Sequence, residues 1–160
     1  MIIRTSCEPA DLTFTFMEGD AAGHHYAVTH DCLLRDGRPY IYRMGEFHYS
    51  RCPSKDWKRE LLKMKEGGVD VVASYVFWNH HEPEEGVFDF SGRRDIRRVI
   101  DTCEELGLPF FLRIGPWAHG EARNGGFPDW LVQKGCRLRS RDPAYLAYVK
   151  RLYEKIYAEV

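Results

Sequence analysis

Apolar and polar positions along the chain predict strands and helices in alternation. Residues 40–47 are predicted as a first strand, followed by a helix that Ser54 caps and Gly67-Gly68 ends. The apolar stripe of this helix consists of Trp57, Leu61, Leu62 and Met64. Residues 69–76 form a β-branched, mostly apolar run without clear alternation, which is typical of a strand buried on both faces.

The same pattern predicts two further helices and a third strand. Residues 93–106 carry apolar side chains at helical spacing, and Gly107 ends this predicted helix. Residues 109–114 are again continuously apolar and are predicted as another buried strand. Asp142-Pro143 predicts the start of a last helix, whose apolar face consists of Leu146, Val149, Tyr153, Ile156 and Val160.

This alternation predicts an α/β fold with parallel strands joined by right-handed crossovers. A closed eight-fold barrel takes roughly 250 residues, and the chain has 160. An open doubly wound sheet fits the length, but it usually has a glycine-rich phosphate loop after its first strand, which residues 44–51 do not provide. We therefore expect about three strand–helix units, with the chain ending before a fourth strand.

The N-terminal residues have the weakest pattern. We expect residues 1–30 to form an extended segment, with a short strand around residues 12–17, and residues 31–160 to form the main domain. The sequence from Asp36 to Pro39 is a strong turn signal, so residues 32–35 and 40–44 are predicted to pair as a hairpin.

Composition and charge argue against several classes of partner. The 23 Lys and Arg residues balance 24 Asp and Glu residues, so we expect neither a nucleic acid nor a membrane as partner. The sequence has no apolar run approaching the ~18 residues of a membrane span, and its first residues lack an apolar signal region. Five widely spaced cysteines without a CxxC pair argue against a disulfide framework or zinc site and favour a cytoplasmic location.

Aromatic residues make up 14% of the chain and stand next to His, Glu and Asn rather than next to Lys and Arg. Aromatic residues beside basic ones would indicate single-stranded nucleic acid. Aromatic residues beside neutral and acidic hydrogen-bonding groups suit a polar ligand with apolar faces, such as a sugar, although any one of them is more often a core residue.

Candidate functional side chains follow the predicted strands, in residues 44–51, 74–90 and 115–131. In a parallel α/β barrel these strand ends meet on one face, where active sites lie. Glu46 and His48 are equally compatible with a structural role. The pair His80-His81 has neither HxxxH nor HxH spacing, so we expect no metal. The carboxylates with the stronger functional interpretation are Glu82, which stands among aromatic residues, and Glu121, which lies on a glycine-rich loop.

These three segments resemble motifs of glycoside hydrolase family 35, whose founding members are β-galactosidases. GEFHYSR at 45–51 resembles the family's G-x-x-HYSR segment, and SYVFWNHHEPEEGVFDF at 74–90 resembles its TYVPWNxHEPxxGxFDF segment. GPWAHGEARNGGFPDWL at 115–131 resembles GPYICAEW-x-x-GG-[FL]-P-x-W-L. The motifs agree in order and spacing over about residues 31–160, which argues against other barrel glycosidases. Departures at 117–120 and 122–123 leave the exact sugar and linkage open.

The resemblance implies a fold and a set of sugar contacts. It implies that the chain is the N-terminal portion of a (β/α)8 TIM barrel, with Tyr75 and Glu121 contacting the galactosyl unit and His119 and Gly120 hydrogen-bonding its hydroxyls. A carboxylate such as Glu121 can accept two hydrogen bonds from neighbouring hydroxyls. Trp78 and Trp117 can offer flat walls to the sugar ring but are equally compatible with core positions, and Arg51 and Asn79 are expected to orient the sugar contacts.

The resemblance also implies hydrolysis of terminal β-galactosides with retention, without a cofactor or metal. Retaining glycosidases need two carboxylates about 5 Å apart. In this family the acid/base is the Glu of an Asn-Glu pair after the fourth strand, and the nucleophile is a Glu after the seventh. The 160 residues contain no Asn-Glu pair, so we expect part of the sugar pocket, no catalytic residue and no activity of the chain alone. The alternative is a non-catalytic sugar-binding or vestigial protein; the oligomeric state is open.

Overall fold

The computed structural model describes residues 15–21 and 23–160. The described residues up to 42 form one compact unit and residues 43–160 form a second, and the two are described separately. Residues 12–14 of the strand predicted near the N-terminus lie outside the described residues. Within the described residues, no helix combines the length and the apolar character that a membrane crossing requires.

The N-terminal unit is an antiparallel sheet of four strands in sequence order. Its strands are β1 (Thr15–Ala21), β2 (His24–Thr29), β3 (Leu33–Arg35) and β4 (Arg38–Pro39). The sequence pattern did not predict β2 because its inward positions are the small residues Ala27 and Thr29, while Val28 faces outward. Without large apolar side chains at alternate positions, the period of a strand is hard to recognise.

The predicted hairpin turn is confirmed, but its second strand is Arg38–Pro39, ahead of the predicted residues 40–44. Asp36 and Gly37 both have positive φ, 51° and 75°, as a two-residue hairpin turn requires. The backbone N–H of Tyr40 still donates to Leu33, at 2.8 Å. The prediction of one strand over 40–47 is wrong, because Ile41 is 94% exposed and pairing resumes only at Met44.

Residues 43–160 contain a parallel sheet of three strands in the order β5, β6, β7. These are β5 (Met44–Glu46), β6 (Val71–Tyr75) and β7 (Phe110–Arg113). The central strand β6 is buried from Val71 to Ser74, as predicted. In the described part of the chain β7 pairs on one side only, and Phe111 is 55% exposed, which corrects the expectation of a fully buried strand. The fold is therefore mixed α/β, and these three strands do not close a barrel.

Five helices accompany the sheet: α1 (Trp57–Glu66), α2 (Trp78–His81), α3 (Ile96–Glu105), α4 (Asp129–Gln133) and α5 (Pro143–Glu159). Ser54 does not cap α1, because residues Ser54–Asp56 form a 3-10 turn before it. Asp95 caps α3 by accepting from the N–H of Arg98 at 2.9 Å. Asp142 caps α5 in the same way from Ala144, at 2.9 Å, as the Asp-Pro signal predicted.

The buried face of α5 differs from the predicted one. Tyr145, Val149, Leu152 and Ile156 are buried. Leu146 and Val160 are 46% and 43% exposed, which corrects their assignment to the apolar face. The buried side chains of α5 join one hydrophobic core with those of the sheet and the other helices, among them Trp57, Leu61, Val72, Trp78, Ile96 and Leu131.

A buried carboxylate ties the segment after β6 to α5. The Glu82 side chain is fully buried and accepts hydrogen bonds from Trp78 Nε1 at 2.6 Å and from the Gly86 N–H at 2.7 Å. Arg151 of α5 forms an ion pair with the same carboxylate. Because every bond of Glu82 is made within the protein, its role is structural, and the functional interpretation of this residue is wrong.

His81 is a second buried polar group in this segment. Its Nε2 accepts from the Tyr49 hydroxyl at 2.8 Å, and its Nδ1 donates to the Asp89 carbonyl at 3.0 Å. Burial lowers the pKa of His81 to about 4, from an ordinary value of 6.5. The neutral imidazole therefore holds the first and second of the motif-bearing segments together.

This pKa predicts a loss of stability as the pH falls. Below pH 6.5 the unfolded chain binds a proton at His81 that the native protein does not bind until about pH 4. The free energy of unfolding should therefore fall by about 2 kcal/mol between pH 7.5 and pH 5.0 through this group. Urea denaturation at both pH values measures it. His81→Gln should remove that part of the pH dependence.

Tyr49→Phe is the matched control for this measurement. It removes the hydroxyl bonded to His81 but leaves the imidazole buried, so the pH dependence should persist while overall stability falls. An unchanged loss between pH 7.5 and pH 5.0 in His81→Gln would show that His81 is not its source.

Candidate functional site

An open cleft of about 490 Å³ lies where the segments after β5, β6 and β7 meet. The residues that line it are Ser50, Arg51, Phe77, Asn79, His80, Arg93, Glu121, Ala122 and Arg123. The structure thus brings together side chains from all three segments that the sequence analysis singled out. All of them belong to the unit of residues 43–160.

Arg51 joins the first of these segments to the third. Its guanidinium donates to the backbone carbonyl of Gly120 and, through Nη1, to His48 Nδ1 at 3.1 Å. It also lies 5.0 Å from the centre of the Phe77 ring, in the second segment. Arg51 is therefore an orienting residue, as expected, and it holds the loop that carries Glu121.

Glu46 and His48 form a hydrogen-bonded chain beneath the cleft. Because His48 Nδ1 accepts from Arg51, its proton sits on Nε2, which donates to Glu46 at 2.5 Å. Arg113 donates to the other carboxylate oxygen at 3.2 Å. The hydrogen bond from His48 lowers the pKa of Glu46, and the charge of Arg113 lowers it further. Glu46 is thus ionised, and each of its carboxylate oxygens accepts a hydrogen bond from the protein.

Tyr75 ends β6 beside this chain. The Arg113 guanidinium lies 4.8 Å from the centre of its ring, and the His48 ring centre is 6.1 Å away. The Tyr75 hydroxyl makes no hydrogen bond to any described residue. Tyr75 contacts residues that support the cleft but is not among those that line it.

The other three predicted sugar contacts, Glu121, Gly120 and His119, lie on the loop after β7 and differ in their exposure and in whether they line the cleft. Glu121 lines the cleft, is exposed, and has a positive φ of 52°. Its carboxylate has no hydrogen-bond or ion-pair partner in the described part of the chain. Gly120 is buried beside it, while His119 is exposed, packs on Trp117 at 4.0 Å between ring centres, and is not a lining residue.

Close packing explains the glycine at 120. A Cβ there would lie 2.5 Å from Phe77 Cζ and 3.1 Å from His48 Cε1, both from segments that support the cleft. Because Gly120 has no side chain, the loop lies close enough to Phe77 and His48 for the Gly120 carbonyl to accept from Arg51. Only the smallest residue permits this geometry.

The two tryptophans considered as sugar walls have other roles. Trp78 is fully buried and donates a hydrogen bond to Glu82, so it takes the core role and presents no face to a ligand. Trp117 is half-buried between the Arg139 guanidinium, 4.4 Å from its ring centre, and the backbone of Gly125. The aromatic side chain that does line the cleft is Phe77.

The basic cleft residues without an assigned role in the sequence analysis are Arg93, Arg123 and, apart from a rejected metal role, His80. Burial lowers the pKa of His80, and the neighbouring Arg94 and Arg93 lower it further, so the imidazole is neutral. Among the described residues, no group of three His, Cys, Asp or Glu side chains is arranged to hold a metal ion. The charged residues that follow the second motif in the sequence were the signal that could have indicated this side of the cleft.

Comparison with known proteins agrees with the three motifs. The family model of Glycosyl hydrolases family 35 matches residues 32–160. A β-galactosidase of Canis lupus familiaris is 46% identical over 124 residues, covering 77% of this chain and 19% of the relative. The Homo sapiens β-galactosidase is 45% identical, covering 76% and 18%, and that of Xanthomonas manihotis is 45% identical, covering 72% and 19%.

The chain spans about a fifth of the length of these relatives. The matched range contains all three strand ends and every residue that lines the cleft. The chain belongs to glycosyl hydrolase family 35.

Proposed function

We propose that residues 32–160 supply part of the galactose-binding pocket of a β-galactosidase-type glycoside hydrolase. The protein containing this pocket would hydrolyse terminal β-galactosides with retention and would need no cofactor or metal. The family membership and the names of the relatives support the reaction class. The cleft supports the assignment of the pocket to these residues.

The observation that carries the proposal is the free carboxylate of Glu121 in the cleft. It has no protein partner among the described residues, whereas Glu46 and Glu82 are both hydrogen-bonded within the protein. An ionised carboxylate can accept two hydrogen bonds from adjacent sugar hydroxyls.

Tyr75, Gly120 and His119 complete the proposed sugar contacts. The Tyr75 hydroxyl is free of hydrogen bonds to described residues and lies at the end of β6. The backbone around Gly120 is held in place by Arg51, so its polar groups are preorganised. The exposed His119 would reach the sugar only from the rim of the cleft.

The catalytic carboxylates are proposed to lie outside these 160 residues. A retaining mechanism needs an acid/base and a nucleophile about 5 Å apart. Glu121 is the one carboxylate among the residues that line the cleft, and the sequence contains no Asn-Glu pair that would match the acid/base of the family. Glu121 therefore binds substrate and does not act as acid or nucleophile.

Binding of galactose to the purified 160-residue chain tests the pocket. Calorimetry or ligand-observed NMR should detect weak binding, and Glu121→Gln should lower the association constant about tenfold, since hydrogen bonds to a charged group are lost. Tyr75→Phe should lower it by a smaller factor, through the loss of one neutral hydrogen bond.

Two residues of α5 provide matched controls. Glu154→Gln and Tyr157→Phe make the same chemical changes at exposed positions outside the cleft, so galactose binding should not change. If galactose does not bind, or binds Glu121→Gln as tightly as the unmodified chain, the pocket assignment is wrong.

A second test addresses the absence of catalytic residues. The purified 160-residue chain should release no nitrophenol from nitrophenyl β-galactoside above the rate in buffer, because the required carboxylate pair is missing. Turnover that persists through purification and disappears in Glu121→Gln would contradict the proposal and make Glu121 catalytic.

A further inference from the structure

The cleft carries more positive charge than a neutral sugar requires. Arg51, Arg93 and Arg123 line it, against the single carboxylate of Glu121. The chain as a whole has 23 basic and 24 acidic residues. The three guanidinium groups are thus a local concentration of positive charge and do not reflect a generally basic protein.

These arginines differ in how fully the protein engages them. Arg51 is engaged by Gly120 and His48. Arg123 pairs with Asp129 through Nε at 3.0 Å, and its side chain remains 77% exposed. Arg93 has neither an ion pair nor a hydrogen bond to any described residue. The neighbouring Arg94 is paired with Asp89 and does not line the cleft.

His80 also lines the cleft, but its Nε2 is not available to a ligand there. This atom is buried and has no partner in the part of the chain that the structure describes. Because the neutral ring adds no charge, the guanidinium groups are the ones available to an anion.

A guanidinium group recognises anionic oxygens through paired N–H donors, which fit both a carboxylate and a tetrahedral oxyanion. A bare anion in this cleft would also meet the negative charge of Glu121. A galactoside that carries an anionic group resolves this conflict, because its hydroxyls occupy Glu121 while its charged substituent lies against the arginines.

We propose that this cleft selects galactosides bearing an anionic oxygen group, a sulfate or a carboxylate, which Arg93 and Arg123 bind. The inference rests on the proposed function, because Glu121 must hold the sugar. It deepens that function by naming the substrate class. The arginines of the cleft then discriminate charged galactosides from neutral ones.

Binding measurements on the 160-residue chain test this with four probes: galactose, galactose 6-sulfate, galacturonic acid and inorganic sulfate. At low ionic strength at least one of the charged sugars should bind about tenfold more tightly than galactose, since charge-assisted hydrogen bonds are added. This ratio should shrink as salt screens the exposed arginines. Inorganic sulfate should bind more weakly than the preferred sugar, because it does not engage Glu121.

Arg93→Gln should reduce the ratio to about two, and Arg123→Gln should reduce it in the same direction. Arg141→Gln is the matched control, because it removes the same charge at an exposed position that does not line the cleft. Its ratio should equal that of the unmodified chain. A preference for only one charged sugar identifies whether the anionic group is a sulfate or a carboxylate.

The outcomes separate this inference from the proposed function. If galactose binds but neither charged sugar binds more tightly, the pocket stands and the anionic selectivity is wrong. If inorganic sulfate binds as tightly as the charged sugars, or if Arg93→Gln keeps the full ratio, the inference also fails. If galactose does not bind, the pocket assignment fails, and the inference that rests on it fails with it.

Discussion

The cleft depends on Arg51, because its guanidinium contacts all three segments that form the cleft and so fixes their relative positions. It donates to His48 on its own segment and to the carbonyl of Gly120 after β7, and it stacks over Phe77 after β6. These three contacts lie in three different segments of the chain, after β5, after β6 and after β7. Because Gly120 is followed directly by Glu121, this clamp also sets where the free carboxylate stands.

Other polar side chains that could take part in a reaction are instead hydrogen-bonded or ion-paired within the protein. Glu46 is engaged by His48 and Arg113, and Glu82 is buried against Trp78 and Arg151. This engagement leaves Glu121 as the carboxylate available to a ligand in the cleft. The same distinction separates two adjacent histidines, since His81 is bonded at both nitrogens while Nε2 of His80 lacks a partner among the described residues.

The sequence allowed the central strand β6, the helices α3 and α5 and the meeting of three strand ends to be predicted, because each has a strong local signal. The apolar run of β6 and the Asp-Pro start of α5 are examples. Strand β2 was not predicted, since its inward residues are small, and the exposure of Phe111 depends on which strands pair with β7.

The site was predictable in part for similar reasons. Glu121 was identified because a motif surrounds it, and it lines the cleft. Sequence spacing carries no information on whether an aromatic residue faces a core or a ligand, so the role of Trp78 stayed open until the structure placed it in the core. Arg93 was predicted only as the first residue of a helix, and the fold brings it to the same cleft as Arg123.

The ends of three strands are proposed to form one galactose pocket. Two-dimensional ¹⁵N–¹H NMR of the labelled 160-residue chain during titration with galactose tests this proposal. Amide shifts should change in residues 48–51, 75–80 and 119–123, while those of α5 and of the N-terminal sheet should not. Changes confined to α5 or to the N-terminal sheet, or no changes at saturating galactose, would contradict it.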